Sequence, residues 1–196
     1  MDESGAARLA GYRRQLAQII IRWGHERRDE PFELSSGGWS HDYVDGKRAI
    51  ARGGRLELVG EAVAALAADA GIVFEAVGGL TMGADPIAVA VAIACDADWF
   101  SVRKQPKPHG KQKRIEGAEL APATPVLIVD DVVTSGRSII EGLDAVEQMG
   151  AKVVLATTLV DRGDSARSLI ESRGIRYEPL LTYRDLNIEP VGQALT

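Results

Sequence analysis

The chain has one cysteine, Cys95, set among Ala and Ile. No internal disulfide can form, and the residue reads as a packed small apolar side chain with no function of its own. Long hydrophobic runs are lacking too: stretches such as Ile87 to Cys95 are far too short to cross a bilayer. The amino terminus has no charged-then-apolar secretion pattern. These absences predict a cytoplasmic protein without membrane contact. A surplus of positive charge is also missing, and the net charge of -5 argues against general affinity for nucleic acid. Neither the Rossmann glycine pattern nor the Walker A lysine pattern occurs, which weakens a dehydrogenase or nucleoside-triphosphatase reading. No internal repeat and no linker interrupts the chain.

What is present suits one domain over residues 1–196, since 45% of the side chains are hydrophobic and 26% charged. Leu9, Leu16, Ile19, Ile20 and Trp23 recur at mostly helical spacing, which predicts an amphipathic helix over Ala6 to Trp23. Pro31 to Arg48, rich in Gly, Ser and aromatics, predicts short strands and turns. Residues 1–50 would thus form a helix and a small hood, and residues 51–196 the core.

In the core, Leu56 to Ala70 predicts a helix stopped by Gly71, followed by a strand over Ile72 to Val77 and a turn at Gly78-Gly79. Asp85 is expected to cap a helix beginning at Pro86 and running to Ala94. Trp99 to Val102 reads as a strand, and 104–117 as a long mobile loop without hydrophobic period. Val126 to Val129 and Val153 to Val160 read as buried strands. Between them Ile139, Ile140, Leu143, Val146 and Met149 form a helical stripe ending at Gly150. The alternation predicts an α/β fold with a mainly parallel central sheet flanked by helices and ligands at the strands' carboxyl ends.

The most informative stretch is Val126 to Ser138, VLIVDDVVTSGRS. An apolar strand is expected to end at Asp130-Asp131, pass through Thr134-Ser135-Gly136 and enter a helix near Ser138. Small residues let backbone amides and a helix amino terminus surround a phosphate. Carboxylates beside that cradle suit a ribose phosphate, whose hydroxyls need acceptors and whose anomeric carbon becomes positive as a leaving group departs. The competing reading is a strand end followed by an ordinary turn. A second concentration of charge lies at Arg103 to Arg114, with seven basic or potentially basic residues and no acid. It fits neutralisation of a departing polyanion; a solvated charge run and an RNA-binding stretch are its alternatives, the latter disfavoured by the lack of aromatic residues there.

VLIVDDVVTSGRS resembles the phosphoribosyl-pyrophosphate signature of type I phosphoribosyltransferases. Three further stretches resemble the orotate phosphoribosyltransferase family: PFELSSGGWSHDYVDGKR, VGGLTMGADPIA and FSVRKQPKPHGKQKRIEG. The last is similar to that family's mobile catalytic loop. The resemblance implies the type I phosphoribosyltransferase fold and transfer of phosphoribosyl from its diphosphate to orotate, with Mg²⁺ bridging substrate oxygens. A phosphoribosyltransferase for another base and a phosphoribosyl-diphosphate-sensing regulator are the alternatives.

Carried over by residue, it implies catalytic roles for Lys104, Lys107, His109, Asp130 and Asp131. The sugar diphosphate would be bound by Arg103, Lys104, Lys107, His109 and the run Asp130, Asp131, Val132, Val133, Thr134, Ser135, Gly136, Arg137 and Ser138. Orotate would lie against Thr134 and Arg162, whose planar fork can pair with both carboxylate oxygens; a surface ion pair with Asp161 or Asp164 is the competing reading of Arg162. Phe32 reads as core or as a lid over the base. Metal would be held through the substrate, with Asp130 and Asp131 as the candidate protein contacts. A homodimer, in which loop 104–117 completes the neighbouring site, is likewise implied by resemblance. Some family members carry lysines where this chain has Ser35 and Met82, and the sequence leaves open whether Lys47 or Arg48 replaces them.

Overall fold

A computed structural model describes residues 3–34, 38–105 and 114–191. Helix α1 (Glu3–Trp23) buries Leu9, Leu16 and Ile20 on one face. The hood follows as an antiparallel ribbon of β1 (His25–Glu33) and β2 (Trp39–Val44), separate from the main sheet. The short α2 (Gly46–Ile50) then leads to α3 (Gly53–Asp69), closed by Gly71 in the left-handed region at φ +66°.

The core continues through β3 (Ala76–Leu80), α4 (Asp85–Cys95), β4 (Asp98–Val102), β5 (Ile115–Gly117) and β6 (Pro125–Val133). It ends with α5 (Arg137–Glu147), β7 (Lys152–Asp161), α6 (Ser165–Glu171) and β8 (Leu181–Thr182). The strands lie in the order β5-β4-β3-β6-β7-β8, parallel except for β5. Alternation along the buried strands sends Leu127, Val129 and Leu155 toward the cluster containing α1, α3 and α4. Val126, Ile128 and Ala156 face the other cluster, with Ile139 and Leu143 of α5 and Ile170 of α6. Both sheet faces are covered by helices, as a parallel sheet requires. Cys95 packs partly buried against the first cluster, and burial raises its thiol pKa.

Several expected boundaries move. The strand placed at Ile72 to Val77 begins at Ala76 instead, and Gly78-Gly79 form its interior, not a turn. Val73 is 81% exposed, while Ile72 and Phe74 on either side pack partly buried against the first cluster. The two glycines belong in the strand because its neighbours crowd them. A Cβ at Gly78 would strike the Phe100 carbonyl, and one at Gly79 the Val129 carbonyl. Gly79→Ala should therefore destabilise the fold by roughly 3 kcal/mol, the upper range for overpacking, as read by urea denaturation. An unchanged midpoint would contradict that packing.

Asp85 does not cap α4. It is the helix's first residue, and its carboxylate accepts from Thr81 Oγ1 at 2.7 Å and Ser101 Oγ at 2.9 Å. The expected loop 104–117 is shortened, because Ile115–Gly117 pairs antiparallel with β4. Strand β6 also runs beyond its expected end, so Asp130 and Asp131 lie within it, near its carboxyl end.

Candidate active site

Three connections converge where β3 and β6 end. The first is the acid pair. Asp130 and Asp131 are 5% and 8% exposed, and the Asp131 amide donates to Asp130 Oδ1 at 2.9 Å. Burial pushes the Asp130 carboxyl up, to about 7, and repulsion from Asp131 adds to this against a hydrogen bond from Ser138. Ser138, expected at the phosphate, is thus engaged with the acid pair.

That shift has a measurable sign. Between the ordinary carboxylate value and about 7, the folded protein holds a proton at Asp130 that the unfolded chain has released, so stability falls as pH rises through this window. Asp130→Asn should therefore gain on the ligand-free wild type by roughly 3 kcal/mol from pH 4 to 7, and no further above it. Urea denaturation across pH 4 to 8 checks this; a pH-independent difference would refute it.

The second connection is the turn after β3. A Cβ at Gly83 would collide with Asp131 Oδ1 and lie 2.9 Å from Asp130 Oδ1, so this turn rests directly on the acid pair. The preceding Thr81–Met82 peptide is cis. Thr81 and Met82 line a recess of about 660 Å³ that also takes in Asp85, Ser101, Arg103 and Lys104. The glycine-rich turn and the Arg103-Lys104 pair therefore share one cavity. Within it, Arg103 Nη1 pairs with Glu116 Oε1 at 3.1 Å, while Lys104 is exposed. Lys107, His109 and Ser35 lie outside the described residues.

The third connection comes from the hood. Asp45 caps α2 by accepting from the Arg48 amide at 3.0 Å. Gly46 lets the helix approach β6, where a Cβ would stand 3.0 Å from Val132 Cγ2. The next residue, Lys47, then reaches Asp131 Oδ2 at 2.7 Å. This hydrogen bond raises the lysine's pKa and outweighs its partial desolvation. Of the two cations left open by the sequence, Lys47 points to the acid pair, whereas Arg48 is exposed.

A second cavity of about 190 Å³ opens beside this contact, lined by Leu34, Tyr43, Lys47, Asp131, Thr134 and Arg162 among others. Arg162 is no surface residue paired with Asp161 or Asp164. It is 2% exposed, its Nη2 donates to Ser40 Oγ at 3.0 Å, and its Nε has no partner among the described residues. Desolvation lowers its pKa, opposed by the nearby Asp42 charge. Asp161 instead accepts from the Gly163 amide and the Tyr177 hydroxyl, each at 3.0 Å, with burial raising its pKa. Asp164 accepts from the Tyr183 hydroxyl.

Thr134 and Ser135 are half-buried before Gly136, which adopts φ +78° ahead of α5. No side-chain cap occupies that helix's amino terminus, leaving its first amides directed at the loop. Phe32 is not core. It sits half-buried in the hood, edge-on to Tyr43 with ring centroids 5.9 Å apart, under Arg28. The sequence reading missed Ser40, Asp42 and Tyr43. The DGK run was the available signal for Lys47, but the links of Ser40 and Asp42 are set by tertiary contact.

The chain matches the family model for the phosphoribosyl transferase domain over residues 51–172. It is 39% identical over 181 residues to the orotate phosphoribosyltransferase of Mycobacterium tuberculosis H37Rv, covering 90% of this chain and 97% of that one. It is 40% identical over 157 residues to the orotate phosphoribosyltransferase of Corynebacterium glutamicum, covering 79% and 84%. The crystal structure of the M. tuberculosis enzyme in complex with 5-phospho-alpha-D-ribosyl 1-diphosphate superposes with a TM-score of 0.74 at 36% identity, covering 90% of this chain and 99% of that chain.

Proposed function

Because the chain belongs to the orotate phosphoribosyltransferases, within the phosphoribosyl transferase domain family, we propose that two of its cavities divide one reaction between sugar diphosphate and base. The enzyme transfers the phosphoribosyl group from 5-phosphoribosyl 1-diphosphate to orotate, giving orotidine 5'-phosphate and diphosphate in pyrimidine biosynthesis. It has the α/β type I fold of that family.

Base recognition rests on one observation: a buried guanidinium, that of Arg162, with an Nε that has no partner among the described residues, lines a cavity shared with Thr134 and the Lys47 ammonium. A buried cation with an open donor calls for an anionic acceptor, and the carboxylate of orotate meets it. A base without that carboxylate would leave the donor unpaired.

At the sugar, Asp130 and Asp131 would accept the ribose hydroxyls and offset charge on the anomeric carbon as its bond to diphosphate lengthens. The uncapped first turn of α5, with Thr134 to Arg137 and the backbone amide of Ser138, would hold the 5-phosphate. Arg103, Lys104, Lys107 and His109 would meet the departing diphosphate from 104–117, a segment we read as a closing loop that excludes water. The backbone of the Thr81 to Gly83 turn would support the same group.

Mg²⁺ would supply charge neutralisation at the diphosphate when bound. The residues present fit such an ion, since the carboxylates of Asp130 and Asp131 offer hard oxygen donors. Asp130 and Asp131 would meet the ion directly or through its water.

We read residues 1–196 as one domain and the protein as a cytoplasmic homodimer in which loop 104–117 completes the partner's site. An apolar groove between α3 and α4, where Ile93 is 79% exposed, supports burial against a second copy. No described helix is long and apolar enough to cross a membrane.

The deciding experiment measures diphosphate release with orotate, uracil, hypoxanthine, adenine and xanthine, each with and without Mg²⁺. Release is expected with orotate and Mg²⁺ alone. No turnover with orotate would overturn the assignment.

A further inference from the structure

A buried cluster in the hood takes no part in the chemistry described so far. Asp42 on β2 is 1% exposed. Its Oδ1 lies 2.8 Å from His25 Nε2, and its oxygens accept from Arg27 Nη1 at 3.3 and 3.1 Å. Two residues earlier, Ser40 is 6% exposed. Its oxygen accepts from the Asp42 amide at 3.0 Å and from Arg162 Nη2 at 3.0 Å, while its proton goes to the Asp42 carbonyl at 3.2 Å. A hydroxyl has one proton and two lone pairs to offer. All three are used, so Ser40 Oγ is fixed in one orientation.

We propose that Ser40, held by Asp42 and the His25–Arg27 clamp, is a positioning residue that aims the Arg162 guanidinium at the carboxylate of the base. Selectivity for a carboxylated base is then set partly by the hood. This rests on the reading that Arg162 binds orotate.

The physical grounds are orientation and charge. A free arginine side chain has rotamer freedom that binding must remove unless the protein has already done so. The bond to Ser40 fixes the guanidinium through Nη2 beforehand, while its buried Nε has no partner among the described residues. Asp42 stabilises the buried cation through its nearby charge. Because its carboxylate is taken up by His25 and Arg27, that support does not require an ion pair which the incoming ligand would have to break.

The test is steady-state kinetics of Ser40→Ala with orotate and the sugar diphosphate varied separately. The KM for orotate should rise about tenfold, the scale of one hydrogen bond to a charged group, while kcat and the KM for the sugar diphosphate stay within about twofold. Ser40→Thr, which keeps the hydroxyl, should recover most of the loss. If Ser40→Ala does not fold, Ser40→Cys reads the same contrast, since its thiol is of similar size and a much weaker acceptor.

An orotate KM within about twofold of wild type, or an equal rise in both KM values with a lower Tm, would overturn the proposal. Arg162→Gln run alongside separates the two failures. If it also leaves the orotate KM unchanged, the assignment of Arg162 to the carboxylate falls and takes the proposal with it. If only Ser40→Ala is silent, the positioning role alone falls.

Discussion

Arg162→Gln should raise the KM for orotate about a hundredfold while leaving the KM for the sugar diphosphate within about twofold. The size follows from what glutamine cannot provide. It removes a buried positive charge and leaves the carboxylate of the base unpaired in a cavity of about 190 Å³ whose other cation among the described residues, Lys47, is bound to Asp131. Truncating one partner of a buried charged pair loses more than the bond, because the other partner stays desolvated. The measurement is initial velocity against orotate at saturating sugar diphosphate. A rise shared equally by both substrates would point to collapse of the hood contact through Ser40, not to lost recognition of the base.

Asp131→Asn should lower kcat/KM for the sugar diphosphate by about two to three orders of magnitude, with Tm changed by only a few degrees. Asparagine keeps the size of the side chain but offers one acceptor oxygen and no charge, so neither the ribose hydroxyls nor the developing cation is fully met. Little stability should be lost, because asparagine keeps the side chain's size and relieves repulsion from Asp130, which offsets the lost bond to the half-exposed Lys47. Loss of folding in parallel with loss of activity would contradict the assignment.

These two residues differ in how plainly the sequence displays them. Asp131 sits in a contiguous apolar, acidic and small-residue run, where chemistry and strand pattern coincide within Val126 to Ser138. Arg162 was legible only through resemblance, since its neighbours Asp161 and Asp164 suggested a surface ion pair. It is buried, and its hydrogen-bond partner Ser40 lies 122 residues away. The parallel sheet followed from the alternation of elements, yet β3 was displaced. Gly78-Gly79 have turn composition, and only the approach of Phe100 and Val129 makes them necessary inside a strand. Asp85 illustrates the same limit, because the hydroxyl that draws it from the cap position lies on β4. Lys47 was visible as a residue, but its direction was not. Asp45, Gly46 and β6 together aim it.

The hood's separation from the main sheet bears on how the free enzyme breathes. A two-stranded ribbon has little stability of its own; its Ser40 is fastened to Arg162, and Lys47 of the adjoining α2 to Asp131, so both ties end on residues of the substrate site. In deuterium exchange the amides of β1 and β2 should open more readily than those of β6 and β7, and orotate should slow them. Occupancy of the base cavity and protection of the ribbon would then be two readings of one local-unfolding equilibrium.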